Sequence, residues 1–268
     1  MAHVVASGAG KALMARRDDP THDYILALTG KERPRVLFVG TATGEEPDYT
    51  LTFYTTYDSD RCAPHHLRLF HRDVDDLAAF VRGFDVIHVG GGNTANMLDV
   101  WRRHGLDDIM SELWEDSDVV FTGGSAGGIC WFQGGTTDSF GPILRVLPEG
   151  LGFLPGSFCP HYDAEDQRRP LFHRALMSGE LPPGYAVGNL QSLHFDGRRF
   201  VRAISSEEHP LALRVFAEDG EIVENDLEAV VLKDAASARA LALASICTGL
   251  QGAGSRDAGS QGAQAASD

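Results

Sequence analysis

Basic residues are scarce in this chain: 23 lysines and arginines stand against 38 aspartates and glutamates, a formal net charge of −15 at pH 7. Nucleic acid or an anionic membrane surface demands lysine and arginine clustered on one face, and no basic stripe is visible, so neither is expected as a partner. Cysteine is sparse as well. The four residues, at 62, 130, 159 and 247, show neither a C-x-x-C pair nor zinc-ligand spacing, which fits thiols kept reduced in a cytosol and excludes a disulfide framework. Cys130 and Cys159 read as small buried residues. No apolar run approaches the roughly 18 residues that cross a bilayer, and the N-terminus lacks a charged start followed by a long apolar stretch. A cytoplasmic protein is the expectation.

What the chain does contain is a repeated alternation of short apolar runs with helical patterns. Val4-Val5-Ala6, Val36-Leu37-Phe38-Val39, Val86-Ile87-His88-Val89 and Val119-Val120-Phe121 read as buried strands. Stretches such as Asp75-Asp76-Leu77-Ala78-Ala79-Phe80-Val81 and Ala95-Asn96-Met97-Leu98-Asp99-Val100-Trp101 read as the helices between them. This is the βαβ rhythm of a mostly parallel sheet. After Gly184 the pattern turns to short strands, with a hairpin through Asp196-Gly197, so an antiparallel edge is expected near the C-terminus. With 43% apolar content in 268 residues, the chain can fill one well-packed α/β domain, placed at residues 1–247. The helical pattern at 235–246 is apolar enough to pack on the domain or on a second subunit, leaving monomer and homodimer both open. From Thr248 the composition falls to Gly, Ala, Ser, Gln and Asp, which cannot bury enough apolar surface to offset ordering entropy, so 248–268 reads as a disordered tail.

Two glycine clusters follow two of these strands. Gly123-Gly124-Ser125-Ala126-Gly127 fits the G-x-S-x-G frame of a nucleophile elbow, in which a buried strand turns abruptly into a helix and projects a strained serine. Upstream, Gly90-Gly91-Gly92-Asn93-Thr94 follows the strand ending at Val89. The two junctions lie about 33 residues apart, the length of one βαβ unit, so their loops should meet at the carboxyl edge of the sheet. Backbone N–H groups of residues 90–92 and of Ala126 would then form an oxyanion hole beside the Ser125 hydroxyl. A phosphate cradle at a helix N-terminus is the rival reading. The lack of both G-x-G-x-x-G and a P-loop Gly-Lys-Ser weighs against it.

A serine nucleophile needs a base, and the chain offers 11 histidines. His65, His66, His71, His104 and His173 stand in polar or arginine-containing stretches and read as solvated. His161 differs: it ends the apolar run Phe158-Cys159-Pro160-His161, in the manner of a strand terminus, where chemistry gathers in such sheets. The acid that would orient it is open between Asp138, Asp163 and Glu165. Each could equally be a helix N-cap.

Together these stretches resemble the peptidase E family, serine peptidases on a fold related to class I glutamine amidotransferases, with cyanophycinase a more distant relative. The matching segments are Thr29-Gly30-Lys31-Glu32-Arg33-Pro34-Arg35-Val36-Leu37-Phe38, Val89-Gly90-Gly91-Gly92-Asn93-Thr94, Gly124-Ser125-Ala126-Gly127 and Pro160-His161-Tyr162. The resemblance implies a three-layer α/β/α sandwich without metal or organic cofactor. It implies Ser125 as nucleophile, His161 as base, Asp138 nearest to the acid described for the aspartyl dipeptidase, and Gly91 with Ala126 as oxyanion donors, Gly92 lying in the same loop. Asn93 and Tyr162, within the matched segments, are expected to line the substrate. Arg168 or Arg169 is the candidate by position to hold a substrate carboxylate. The chain departs from the family where relatives carry an acidic residue after the strand reading Gly184-Tyr185-Ala186-Val187. Here Gly188-Asn189-Leu190 follows, leaving Asp138 or Glu165 to support the histidine.

The expected activity is a serine hydrolase acting on small peptides or another amide through an acyl-Ser125 intermediate. An acyltransferase or amide-processing enzyme using the same intermediate is the second reading. A ligand-binding homologue with impaired turnover is the third, motivated by the missing acid. Glutamine-amidotransferase chemistry is disfavoured, because such sites use cysteine at the elbow.

Overall fold

The computed structural model describes residues 1–253. Its strands are β1 (His3–Ser7), β2 (Arg35–Val39), β3 (Ala63–Leu67), β4 (Val86–Val89), β5 (Val120–Gly124), β6 (Phe132–Thr137), β7 (Arg145–Leu147), β8 (Leu154–Cys159), β9 (Gly184–Val187), β10 (Gln191–Asp196), β11 (Arg199–Ser205), β12 (Ala212–Glu218), β13 (Glu221–Asp226) and β14 (Ala229–Val231). The helices are α1 (Lys11–Met14), α2 (Pro20–Ala27), α3 (Pro47–Thr56), α4 (Leu77–Val81), α5 (Thr94–His104), α6 (Leu106–Asp116), α7 (Ala126–Ile129), α8 (Arg168–Ser178) and α9 (Ala235–Ala253).

An eight-stranded sheet, ordered β14-β11-β10-β1-β5-β4-β2-β3, forms the spine. From β1 to β3 its strands run parallel, with antiparallel pairing of β10 to β1 and of β11 to β10 on the other side. This is the parallel sheet with an antiparallel C-terminal flank that the apolar rhythm predicts. The Asp196-Gly197 hairpin is present, with Asp196 paired to Arg199 and Gly197 at φ 53°.

Alternate residues of each parallel strand feed opposite faces, as the period of two requires. Val5, Val36, Phe38, Val86 and Val120 pack under α2, α3 and α9. Val4, Ala6, Leu37, Val39, Ile87, Val89 and Phe121 pack under α4, α5 and α6. The chain is therefore covered on both faces, in the layered α/β arrangement expected.

A second, six-stranded sheet, ordered β13-β12-β9-β8-β6-β7, goes beyond the single sheet expected. β6, β8 and β9 are parallel and carry antiparallel partners on each side. Gly134, Gly135, Pro155 and Gly156 interrupt the apolar signal of β6 and β8, so that only the Phe158-Cys159 end of β8 stands out as an apolar run. The second sheet joins the core of the first through stacked Phe132 and Phe158, whose ring centroids lie 5.0 Å apart, and through Phe195 of β10. Its other face packs on α8 through Phe172, Ala175 and Leu176.

Helix α9 extends past the expected boundary at 247. The rest of the expected tail, 254–268, lies outside the described residues. Among those described, no helix is long and apolar enough to cross a membrane. Cys62, Cys130 and Cys159 are buried and unpaired. Burial pushes the thiols of Cys62 and Cys159 up to about 12, the conduct of small core residues rather than reactive ones.

Four histidines, His3, His22, His88 and His194, are buried, whereas the five read as solvated, His65, His66, His71, His104 and His173, are half-buried or exposed. His194 accepts or donates to Tyr24 at 2.7 Å and to His3 at 3.1 Å, and His22 bridges Tyr57 and the Leu13 carbonyl. His88 sits between Phe38 and Tyr57 with Nδ1 unpartnered. Desolvation lowers His22 to about 4 and His88 to about 3, and pulls His3 and His194 down as well. The unfolded chain takes up protons near pH 6.5, where these folded rings stay neutral, so stability is full above that pH and falls as pH drops toward 4. Each unit of depression is worth about 1.4 kcal/mol. Urea unfolding midpoints should hold level from pH 8 to 7 and decline steeply between pH 6.5 and 4, with His88→Leu flattening part of the decline. A midpoint unchanged down to pH 4.5 would contradict this account.

Candidate active site

β5 and β4 are neighbours, so the residues that follow them emerge side by side at the carboxyl edge. A Cβ on Gly91 would lie 3.4 Å from that of Ser125, which shows how closely the two loops approach. The elbow closes only because its glycines carry no side chain. A Cβ on Gly124 would stand 1.9 Å from the Ala9 carbonyl oxygen, a backbone group with nowhere to move. Ser125 itself has φ 55° and ψ −115°, outside the regions a serine prefers. Its N–H donates to the Ser7 carbonyl at 3.1 Å, while its carbonyl accepts from Gly128 and Ile129 as α7 begins.

His161 arrives from the second sheet. β8 and β9 pair in parallel with Cys159 opposite Ala186, so two residues further on His161 and the Gly188-Asn189 segment leave the sheet together. His161 also has positive φ, 55°, so both members of the pair hold strained backbone. Its Nε2 lies 2.9 Å from Ser125 Oγ, and its Nδ1 lies 2.6 Å from Asn189 Oδ1. All three side chains are half-buried.

The two ring nitrogens are thereby engaged, and neither the Asp138 nor the Glu165 carboxylate bonds to the imidazole, Glu165 meeting His161 only through its backbone N–H to the His161 carbonyl. Asp138 is exposed and lines an open cavity of about 540 Å³ together with Glu165. Glu165 accepts from Arg168 Nε at 2.7 Å. The position assigned to an acid is occupied by the amide of Asn189. From sequence, Gly188-Asn189-Leu190 reads as the loss of a carboxylate, which hides Asn189 as an acceptor. An amide oxygen can accept the same imidazole N–H, and its place one strand from His161 was the available signal.

Other expected residues are placed differently. The Gly91 N–H donates to the Tyr49 hydroxyl at 3.2 Å and is not free toward Ser125. Tyr49 is buried, and desolvation raises it to about 12, so it remains a neutral phenol. Gly92, at φ 139°, is exposed, and Ala126 is buried at the start of α7. Asn93 caps α5, accepting from the Asn96 N–H, and donates to the Ser139 carbonyl. Arg168 is 2% exposed and held by Glu165, the Thr136 carbonyl and the Thr136 hydroxyl. It braces β6 against α8 and presents no cation to a substrate. Tyr162 is buried, its hydroxyl shared with His173 and Glu224, and Arg169 is paired to the same Glu224 carboxylate. Among the described residues, no group of three or more His, Cys, Asp or Glu side chains is placed to hold a metal ion.

Comparison with known proteins agrees with this arrangement. The sequence model of peptidase family S51 matches residues 4–203. Over 224 residues the chain is 42% identical to an uncharacterised peptidase, YgaJ, of Bacillus subtilis (strain 168), covering 84% of this chain and 96% of that one. Among solved structures, a proposed peptidase E from Listeria monocytogenes EGD-e shares the fold with a TM-score of 0.56 at 18% identity, over 75% of this chain and 97% of its own. A peptidase from an acI-B1 actinobacterium does so with a TM-score of 0.58 at 15% identity, over 84% and 97%. With a G-x-S-x-G elbow facing a histidine, and a family match spanning most of the domain, the chain belongs to peptidase family S51.

Proposed function

We propose that this peptidase cleaves a small peptide or other amide as a serine hydrolase, through an acyl-Ser125 intermediate with His161 as general base. The observation that carries the reading is the 2.9 Å approach of His161 Nε2 to Ser125 Oγ, with the opposite ring nitrogen held at 2.6 Å by Asn189. In this reading Nδ1 keeps its proton, donated to Asn189 Oδ1, so Nε2 is the free base. As Ser125 Oγ attacks the scissile carbonyl carbon, its proton passes to Nε2. The oxyanion that forms is met by the backbone N–H of Ala126, which follows the nucleophile, and by that of Gly92 in the loop opposite, since the Gly90 and Gly91 N–H groups donate to the Val39 carbonyl and the Tyr49 hydroxyl. The imidazolium then protonates the leaving amine as the C–N bond breaks. Water attacks the acyl-enzyme by the same exchange in reverse, His161 again taking the proton.

Asn189 fixes the tautomer and aim of the ring without bringing a negative charge, as the asparagine of Cys-His-Asn sites does. The turnover-impaired alternative was motivated by the missing acid after β9. That motivation weakens, because Asn189 occupies the place of the acceptor.

Intact-mass measurement after treatment with a serine-directed fluorophosphonate should give a single adduct on the native chain and none on Ser125→Ala. His161→Ala should slow labelling by about 10²- to 10⁴-fold. An unlabelled native protein would sink the hydrolase reading.

Asn189→Ala should slow labelling by about tenfold or more, whereas Asn189→Asp should stay active and move the acid limb of the pH–rate profile to higher pH. A neighbouring carboxylate raises an imidazole's pKa, so more base is needed to free Nε2. An identical limb in both enzymes would remove Asn189 from contact with the working histidine.

A further inference from the structure

The loop after β4 carries four successive N–H groups, and they are not equivalent. Gly90 N–H donates to the Val39 carbonyl at 3.0 Å and Asn93 N–H to the Ala42 carbonyl at 2.8 Å. Gly91 N–H donates to the Tyr49 hydroxyl at 3.2 Å. Among the described residues, the Gly92 N–H alone of the four meets no acceptor. The loop is thus pinned on both sides of one uncommitted donor. That donor lies beside the nucleophile, because a Cβ on the adjacent Gly91 would stand 3.2 Å from the Gly124 carbonyl oxygen and 3.4 Å from Ser125 Cβ. Gly92 itself has φ 139°, and a Cβ there would meet the Ala42 carbonyl oxygen at 2.4 Å.

Two of the three pins join backbone to backbone. The third is a side chain reaching across from α3. Consecutive glycines have the widest choice of backbone angles, so the 90–92 run does not hold one orientation by itself. Gly91 is buried, so its N–H needs a partner, and the Tyr49 hydroxyl is that partner. The tyrosine is in turn fixed in place: it is 1% exposed, packs edge-on against Phe38 with ring centroids 5.1 Å apart, and has Cε1 3.1 Å from where a Cβ on Gly90 would lie. A phenylalanine ring would fill the same space. A hydroxyl carried into the core costs free energy unless it is bonded, and the bond to Gly91 accounts for it.

We propose that Tyr49 is a positioning residue for the oxyanion hole: by holding the Gly91 N–H, its hydroxyl fixes the next peptide so that the Gly92 N–H is presented to the oxyanion formed at Ser125. The inference rests on the serine-hydrolase reading above. Tyr49 touches no reacting atom. It acts through the loop, so its removal weakens the stabilisation of developing charge and leaves the Ser125 and His161 pair as it was.

A fluorophosphonate and its thiophosphoryl twin isolate this contribution. Ser125 Oγ displaces fluoride from phosphorus in both, but charge gathers on oxygen in the first and on sulfur, a weak hydrogen-bond acceptor, in the second. The ratio of their second-order labelling rates on the full-length protein therefore reads the oxyanion donors apart from the nucleophile and base. Tyr49→Phe should lower the ratio of oxygen to sulfur probe by about tenfold, less than the roughly 10²- to 10³-fold loss that deleting a donor outright brings, and should leave the pH midpoint of labelling in place. Gly92→Ala should lower the ratio too, through its clash with the Ala42 carbonyl. Amide exchange on the native chain should find the Gly91 N–H protected and the Gly92 N–H unprotected. An unchanged ratio in either variant overturns the proposal: with both rates slowed, the altered group serves the alignment of Ser125 and His161, and with neither slowed it has no part in the reaction. An unprotected Gly91 N–H or a protected Gly92 N–H overturns it as well, whatever the folding of the variants. A native chain labelled by neither probe overturns the hydrolase reading and this inference with it.

Discussion

The site depends on backbone surfaces that touch with nothing between them. Gly8, Gly10, Gly91, Gly124 and Gly188 pack where the carboxyl ends of the two sheets meet, and a Cβ on Gly8 would sit 1.8 Å from the Gly188 carbonyl oxygen. Contacts of this kind are rigid, because neither side can relax by rotating a side chain. They set the separation of β1 from the loop after β9. Through it they set the distance between a serine on one sheet and a histidine and asparagine on the other. The strain at Ser125 and His161 is tolerable because this packing leaves the chain no cheaper path.

Much of the large sheet was legible. The apolar runs of β1, β2, β4 and β5 are buried on both faces and read as continuous hydrophobic strands, as parallel strands covered on both sides do. Ser125 and His161 were legible for a related reason: each stands within two residues of a strand's end, and one sits in a glycine frame with a steric cause. The second sheet was less so. β6 and β8 are rich in glycine and interrupted by proline, and their pairing is a matter of tertiary packing that local pattern does not encode.

Within the site, the misplacements share one origin. Chemical type marks a residue as a candidate, whereas its role follows from which partners reach it. Arg168 carries the right charge for an anion but is saturated by Thr136 and Glu165. Gly91 has the right backbone, yet its N–H is spent on Tyr49, which lies 42 positions away along the chain. Asn189 has the wrong formal charge for a triad acid, but it stands where the histidine needs an acceptor. The burial of His3, His22, His88 and His194 likewise comes from strands and helices distant in sequence.

Because Ser125 belongs to the first sheet and His161 with Asn189 to the second, the hydrogen bond between nucleophile and base spans a seam rather than lying within one rigid element. The aromatic cluster of Phe132, Phe158 and Phe195, stacked between the first two and edge-on between Phe132 and Phe195, helps fix how the sheets sit on each other. Side chains that never approach a substrate thus govern the alignment of the reacting atoms. Volume changes in that cluster would register as altered proton transfer, making the register between two sheets a working part of the catalyst.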